Sequence, residues 1–372
     1  MPDVIVIGGG IVGTAAAAFL AEAGASVTLF DRDGLASGAS GANSGVVQHP
    51  MDPPMVDLYR ETVGHYRALT DADAGFRLPD EPAGMLFVSH ERAAAEAMLG
   101  MFPGLATEVL EADDLRRVEP TLAPDLAAMR VAIGYPVPPS ASTYAYATVA
   151  ERRGVTVRVG RAAIPVVESG RVIGVRVGGQ VVRADQVLVA AGPWTPAAID
   201  PSGAWQPISE RWGVVVEIEL AGPPTHCLEE AEIGASIGAE PTAYERGGPD
   251  TSDFSMMTAL GISAVGSTFL QAEPDPADWM ERLLQRAALF VPAVMDAPIR
   301  GVRACARPVS IDGRPLIGPV PGVEGLFVCA GHGPWGISTG PASSRLVVDA
   351  MLGREVSIPA VFDPGRFGPI PA

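Results

Sequence analysis

Lysine is missing from this chain of 372 residues; every side chain in its Lys+Arg total of 26 is arginine. Schiff-base chemistry through a lysine is therefore excluded, and pyridoxal-phosphate enzymology with it. Cysteine is scarce. Cys227, Cys305 and Cys329 are too few and too scattered for a disulfide framework or a Cys-rich metal site. His226 near Glu229-Glu230 has no metal-ligand spacing either, and that stretch is expected at the surface. No apolar run reaches the roughly 18 residues of a membrane span. The longest apolar region, Val4 to Ala23, follows Asp3 rather than a cationic segment and is broken by glycines. It is expected to be a strand and a helix, not a signal peptide. Positive charge is the minority sign, 26 basic against 43 acidic residues, for a net charge of −17. Such a surface favours solubility and disfavours nucleic acid or anionic membrane as partners. The expected location is the cytoplasm. Oligomeric state is not specified by any of these features.

What is present points to a large folded enzyme. Hydrophobic residues make up 48% and charged residues 19%, outside the range of disordered chains, and the length suggests two domains. The most informative segment is Gly8-Gly9-Gly10-Ile11-Val12-Gly13. It follows the apolar run Val4–Ile7 and leads into Thr14–Ala23, giving a strand, a glycine turn and a helix start. Gly8, Gly10 and Gly13 stand in the G-x-G-x-x-G register, and Asp31 closes a second strand, Val27–Phe30. Gly8 permits the tight turn, Gly10 lets backbone approach a pyrophosphate, and Gly13 lets helix and strand pack closely. The helix N-terminus offers N–H groups and partial positive charge to phosphates. Asp31 can accept hydrogen bonds from ribose hydroxyls. A glycine-rich turn without a ligand is the plain alternative.

Three further blocks narrow the cofactor. Residues 186–194 form an apolar strand ending in Ala190-Ala191-Gly192-Pro193-Trp194. Residues 307–318 run Arg-Pro-Val-Ser-Ile-Asp-Gly-Arg-Pro-Leu-Ile-Gly. Residues 326–340 give a strand, a second glycine turn (Gly331-His332-Gly333-Pro334-Trp335-Gly336) and a helix start, Ile337-Ser338. This ordered set resembles the D-amino acid oxidase superfamily of FAD-dependent oxidoreductases, and within it the glycine oxidase-like branch. The likeness runs nearly end to end and is loosest over residues 206–300.

The resemblance implies an α/β fold, in which an FAD-binding Rossmann-like domain is interleaved with an antiparallel-sheet α+β substrate domain. The pieces expected are 1–75, 140–205 and 301–372 for the FAD-binding domain, and 76–139 and 206–300 for the substrate domain. Local pattern supplies detail. Gly84–Ser89, Val214–Leu220, Phe254–Ala259 and Ser263–Leu270 are expected strands, and Val172–Val182 a hairpin around Gly178-Gly179. Leu110–Val118 carries a polar helical pattern. Asp275 is a plausible N-cap, with Pro276 at the first position, of a helix reaching Phe290. The chain is expected to leave the substrate domain at Arg300-Gly301.

The resemblance also assigns site residues. Cofactor contacts are expected at Gly8, Gly10, Ile11, Val12, Gly13, Asp31 and Arg32. The small-residue loop adds Ser40, Asn43, Ser44 and Gly45, and the second strand end adds Ala191, Gly192 and Trp194. The second glycine turn adds Gly331, His332, Gly333, Trp335, Gly336, Ile337 and Ser338. A Gly/Ser/Ala loop can also be mere linker. His332 is expected beside the flavin, where the turn stabilises negative charge on the reduced ring; a role as acid or base is the lesser alternative. For substrate, the resemblance points to Arg307, whose guanidinium can grip a carboxylate with two parallel N–H donors. Arg303 on the same strand, Val47 and His49 past the small-residue loop, and Tyr244, Arg246 and Trp212 in the loosely matched region are further candidates. A structural pairing of Arg307 with Asp312 is the plain alternative. No catalytic side chain is required, because the flavin carries the chemistry. Some relatives bond a cysteine near position 305 to the flavin, but Ala304-Cys305-Ala306 departs from that pattern, so noncovalent FAD is expected. Others place a lysine near the flavin to assist oxygen, which this chain cannot do.

The activity implied is oxidation of a carboxylate-bearing amine or amino acid, with hydride passing to flavin N5, imine hydrolysis, and O2 as the expected acceptor giving H2O2. An N-carboxymethyl amine from a biosynthetic pathway is the preferred specialised case. A dehydrogenase of D-amino or hydroxy acids using a quinone or protein acceptor is the enzyme alternative, and a flavin-binding subunit or redox sensor the non-enzyme one.

Overall fold

The computed structural model describes residues 3–231 and 251–370. Two large sheets organise them. The first has six strands in the order Leu316–Pro319, Leu326–Ala330, Gln186–Val189, Asp3–Ile7, Ser26–Phe30 and Thr156–Arg158. Four of its five pairings are parallel, and the edge strand Leu316–Pro319 pairs antiparallel. A parallel sheet buried on both faces needs apolar residues at every position, and Val4–Ile7 supplies them. Val4 and Val6 join the core formed with the helices Ile11–Glu22, Pro53–Asp71, Ala141–Arg152 and Gly336–Met351. Ile5 and Ile7 join the opposite core with Val172, Val175 and Trp205. That second face is covered by a three-stranded meander, Ala163–Glu168, Arg171–Val177 and Gln180–Arg183. Its tight turn places Gly178 and Gly179 at φ +53° and +85°, which is the hairpin turn that two glycines favour.

The helix Ile11–Glu22 is central. Ala15, Ala16, Ala17 and Ala18 are almost wholly buried, and their small side chains admit close neighbours. Gly340 comes near enough that a Cβ there would lie 3.2 Å from Val12, and the Ser344 hydroxyl donates to the Val12 carbonyl at 2.9 Å.

The second sheet has eight strands in the order Ile299–Ser310, Ile208–Ile218, Ile262–Phe269, Thr251–Ala259, Cys227–Glu230, Met85–Ser89, Ala127–Val131 and Thr107–Glu111. All pairings are antiparallel save Cys227–Glu230 with Met85–Ser89. Strand periodicity splits this sheet into two faces. Val214, Val216, Leu228, Phe254, Met256 and Val265 pack with Leu283, Leu284 and Ala287 of the helix Ala277–Ala288. The alternate positions turn towards the first sheet.

Several local expectations shift. Leu110 and Glu111 belong to the edge strand Thr107–Glu111, and the helix begins only at Ala112. Strand pairing with Ala127–Val131, supported by an Arg130–Glu108 ion pair, overrides the local helical pattern. The helix expected from Asp275 to Phe290 spans Ala277–Ala288, with Pro276 at its N-cap; the Asp275 carboxylate accepts the Ala277 N–H at 3.0 Å. The strand carrying Arg303 and Arg307 pairs along its length with Ile208–Ile218. The return to the first sheet therefore falls after Ser310 rather than at Arg300-Gly301, because a twelve-residue strand continues through those glycine and arginine positions.

The tight contact between glycine turn and helix is testable. A Cβ on Gly13 would sit 1.9 Å from the Gly8 carbonyl oxygen, whereas exposed Gly64, inside the helix Pro53–Asp71, has no neighbour within 4 Å. Gly13→Ala should destabilise the fold by about 1–3 kcal/mol through overpacking. Gly64→Ala should stabilise it by up to about 1 kcal/mol through helix propensity. Denaturant unfolding of both variants checks the pair; an unchanged midpoint for Gly13→Ala would contradict the packing described.

Candidate active site

The strands Asp3–Ile7 and Gln186–Val189 lie side by side; the chain leaves the first for Ser26–Phe30 on its other side and the second for the eight-stranded sheet. Such a switch point opens a crevice at the carboxyl ends of the strands. Here the crevice becomes a cavity of about 510 Å³ running between the two sheets.

At the end of the cavity formed by the first glycine turn, Gly8 has φ +117°, and a Cβ on it would meet the Ala190 carbonyl oxygen at 2.2 Å. Only glycine fits there. Asp31 organises the turn from the next strand. Its Oδ2 accepts the Gly9 N–H at 2.7 Å, and its Oδ1 accepts those of Asp33 and Gly34 at 2.9 and 2.7 Å. Ser40 Oγ accepts the Ile11 N–H at 2.9 Å, so one of the helix's first donors is already engaged. Asn43 ties the small-residue loop together: its amide donates to the Ala39 and Ser40 carbonyls at 3.0 and 2.9 Å and its Oδ1 accepts the Gly45 N–H at 2.8 Å. Arg32 stacks 4.8 Å over Trp194 at the rim.

Every cofactor position expected from sequence lines this cavity except Gly13 and Gly331. Those two act behind it. Gly13 is the helix–turn contact, and Gly331, at φ +85°, fits against Leu316, Ser310 and Ile208. His332 is 2% exposed, and its Nε2 has no hydrogen-bond partner among the described residues. Burial pushes its pKa down to about 4, so the imidazole is neutral at physiological pH.

At the other end lies Arg307. Its two terminal nitrogens donate to the Thr268 carbonyl at 2.8 Å and the Ser267 hydroxyl at 2.7 Å, and the guanidinium sits 4.4 Å over the Phe269 ring. It crosses the neighbouring strand directly above Gly213, where a Cβ would come within 2.4 Å of it. Both protein partners are neutral. No acidic side chain pairs with Arg307 among the described residues, and Asp312 is instead held by Arg366 at 2.7 and 3.0 Å. Burial lowers the Arg307 pKa, yet arginine remains charged.

Other expected substrate residues lie elsewhere. Arg303 donates to the Asn43 carbonyl at 2.8 Å and pairs with Glu217; it steadies the small-residue loop without lining the cavity. Val46 and Gln48 face the cavity, so their extended-chain neighbours Val47 and His49 do not. Val47 is buried in the core of the first sheet, and His49 packs on Tyr59 and Phe102. Trp212 packs with the helix-side core. Tyr244 and Arg246 lie outside the described residues. Cys305 lines the cavity with its thiol pKa raised by burial, an environment that disfavours the thiolate.

Sequence inspection missed Glu229, Gln48, Ser255 and Ser267, all of which line the cavity. Glu229-Glu230 is not surface. Glu230 is 3% exposed and pairs with Arg286 of the covering helix, on the face of Leu228. Glu229 takes the opposite face, and Gln48 Nε2 donates to it at 3.0 Å. Burial raises the Glu229 pKa to about 7. The available signal was strand alternation, which separates two adjacent acids onto two faces.

The cavity suits FAD. The glycine cradle excludes side chains where a pyrophosphate would approach, the first turn of Ile11–Glu22 offers N–H groups, and His332 presents an unpartnered nitrogen. Comparison with known proteins agrees. A family model described as FAD dependent oxidoreductase matches residues 3–350. Glycine oxidase of Pseudomonas putida is 27% identical over 98% of this chain and 99% of its own length, and that of Pseudomonas aeruginosa is 28% identical over 98% of each. The crystal structure of glycine oxidase from Geobacillus kaustophilus superposes with a TM-score of 0.82 at 22% identity, covering 100% of this chain and 98% of its own. No helix among the described residues is long and apolar enough to cross a membrane.

Asp31 offers a direct test of the nucleotide end. Asp31→Ala removes an acceptor that holds the Gly9 and Gly34 N–H groups and faces the cavity. FAD retention should weaken by on the order of 1.5–3 kcal/mol, measured by flavin fluorescence on dilution. Unchanged affinity would place the nucleotide elsewhere.

Proposed function

The chain belongs to the FAD dependent oxidoreductase family that acts on amino acids and amines, and from that premise we propose that it oxidises a carboxylate-bearing amine of the N-carboxymethyl type, with oxygen as electron acceptor. The observation that carries the substrate assignment is Arg307: a half-buried guanidinium facing the cavity whose partners among the described residues are neutral oxygens. A cation partly withdrawn from water without a counter-charge is unfavourable, and a substrate carboxylate supplies one with matching two-pronged geometry.

The chain's own residues divide the work. The Gly8–Val12 turn, Asp31, Arg32, Ser40, the Asn43–Gly45 loop and Ala191–Trp194 would hold the dinucleotide portion. His332–Ser338 would bound the flavin, with the neutral His332 imidazole able to share one hydrogen bond with it. When bound, FAD supplies the two-electron acceptor for a hydride from the carbon beside the carboxylate. Arg307 fixes that carbon's position by gripping the carboxylate, which converts binding into orientation. The thiol of Cys305, disfavoured as a thiolate, leaves the cofactor noncovalent. In the overall reaction an N-carboxymethyl amine, O2 and water give glyoxylate, the freed amine and H2O2.

Arg307→Ala should cost about 2–5 kcal/mol in substrate binding and flavin reduction while leaving the bound FAD spectrum unchanged. Arg307→Lys should restore only part, because a point charge cannot reproduce the fork. Anaerobic stopped-flow reduction reads both; equal reduction rates in wild type and Arg307→Ala would sink the assignment. Peroxide formed in step with glyoxylate supports the oxidase reading, and turnover only with a quinone would replace it with a dehydrogenase.

A further inference from the structure

Two side chains of opposite charge line one face of the eight-stranded sheet and open into the same cavity: Arg307 and Glu229. They are not neighbours. The Arg307 guanidinium crosses Ile208–Ile218 and ends at Ser267 on the third strand, whereas Glu229 lies on the fifth, paired with Ser255 on the strand between. Two strand spacings separate Ser267 from Glu229, roughly 10 Å across the sheet. Among the described residues the wall around them is mostly uncharged, with Val215, Met257 and Phe269 among its residues. A ligand held at Arg307 that also reaches Glu229 therefore extends across two strand widths of the sheet.

We propose that Glu229 is the anchor for a cationic group at the far end of the substrate, so that the enzyme's substrate is a carboxymethyl amine whose other N-substituent carries a second, positively charged group. This rests on the carboxylate role given to Arg307 and narrows it to a class. The carboxylate binds at one end, the reacting C–H lies between, and the distal ammonium binds at Glu229. Remote binding energy then positions the reacting carbon, so a truncated substrate loses turnover as well as affinity.

The surroundings of Glu229 suit this role. Gln48 orients the carboxylate through Oε2 at 3.0 Å. Phe87 and Ser255 flank it on the two neighbouring strands, and Asp253 is the charged group that acts on it from Thr251–Ala259. Arg307 and the neutral His332 line the same cavity. Burial and Asp253 raise its pKa to about 7, so its attraction for a cation strengthens as pH rises through neutrality.

The test uses FAD-loaded protein and paired ligands. One set is N-carboxymethyl alkylamines ending in an ammonium, matched to chains of the same length ending in a methyl group. A second set replaces the reacting nitrogen by an ether oxygen, giving unreactive ligands whose binding is read from the flavin absorption spectrum. Wild type should favour the ammonium-ended ligand by about tenfold or more, both in binding and in anaerobic reduction, a ratio within the range of hydrogen bonds to charged groups. The preference should grow between pH 6 and 8. Glu229→Gln should abolish both the preference and its pH dependence, bringing the ammonium-ended and methyl-ended ligands to equal affinity. Equal affinity of wild type for the two tails, or a preference that survives Glu229→Gln, overturns the inference. The carboxylate reading survives that outcome if Arg307→Ala weakens both ligands alike. It fails separately if Arg307→Ala weakens neither.

Discussion

Arg307 carries a full positive charge into the wall of a cavity, and its hydrogen-bond partners among the described residues are a hydroxyl and a carbonyl. Much of the surrounding structure is arranged to permit this. Gly213 must lack a side chain so that the guanidinium can cross its strand. Phe269 supplies a ring face beneath it, a contact that partly offsets the lost hydration. Asp312, a few residues along, is kept away by Arg366. A half-buried cation with no counter-charge among the described residues is poised to accept one from a ligand.

The second requirement is that one face of the antiparallel sheet remain free to wall the site. The helix Ala277–Ala288 takes the other face, with Val214, Val216 and Met256 beneath it. Alternation then delivers Gly213, Val215, Ser255, Met257 and Glu229 to the cavity. The parallel sheet contributes the opposite wall at the carboxyl ends of Asp3–Ile7 and Gln186–Val189, which stay paired up to Ile7 and Val189. Fold and site are thus one arrangement: a parallel sheet covered on both faces, by helices and by a meander, offers its strand ends, and an antiparallel sheet covered on one face by a helix offers its other face, to a shared cleft.

The nucleotide half was largely legible in the sequence because its signals are local. The glycine register, Asp31 and the second glycine turn all act within a few residues of their own strands, and nearly all face the cavity. The substrate half was not. Leu-Glu-Glu at 228–230 resembles an exposed polar edge until strand pairing separates Glu229 from Glu230. Val47 and His49 were misplaced by one residue of strand phase, and Gln48 was overlooked for the same reason. Arg303 and Arg307 share a face, yet only their distance along the strand decides that one binds the Asn43 loop and the other lines the cavity. Long-range pairing fixes these outcomes, and no short window of sequence contains it. Leu110 shows the same limit in the fold, where an edge strand overrides a local helical pattern.

The central claim is that a substrate carboxylate neutralises Arg307 in front of bound FAD. A crystal structure of the FAD-loaded protein soaked with an unreactive carboxymethyl ether tests it most directly. The account predicts both carboxylate oxygens within hydrogen-bond reach of the Arg307 guanidinium, with the FAD pyrophosphate against the Gly8–Gly13 turn. A carboxylate bound elsewhere in the cavity, with Arg307 still facing only Thr268 and Ser267, would contradict it.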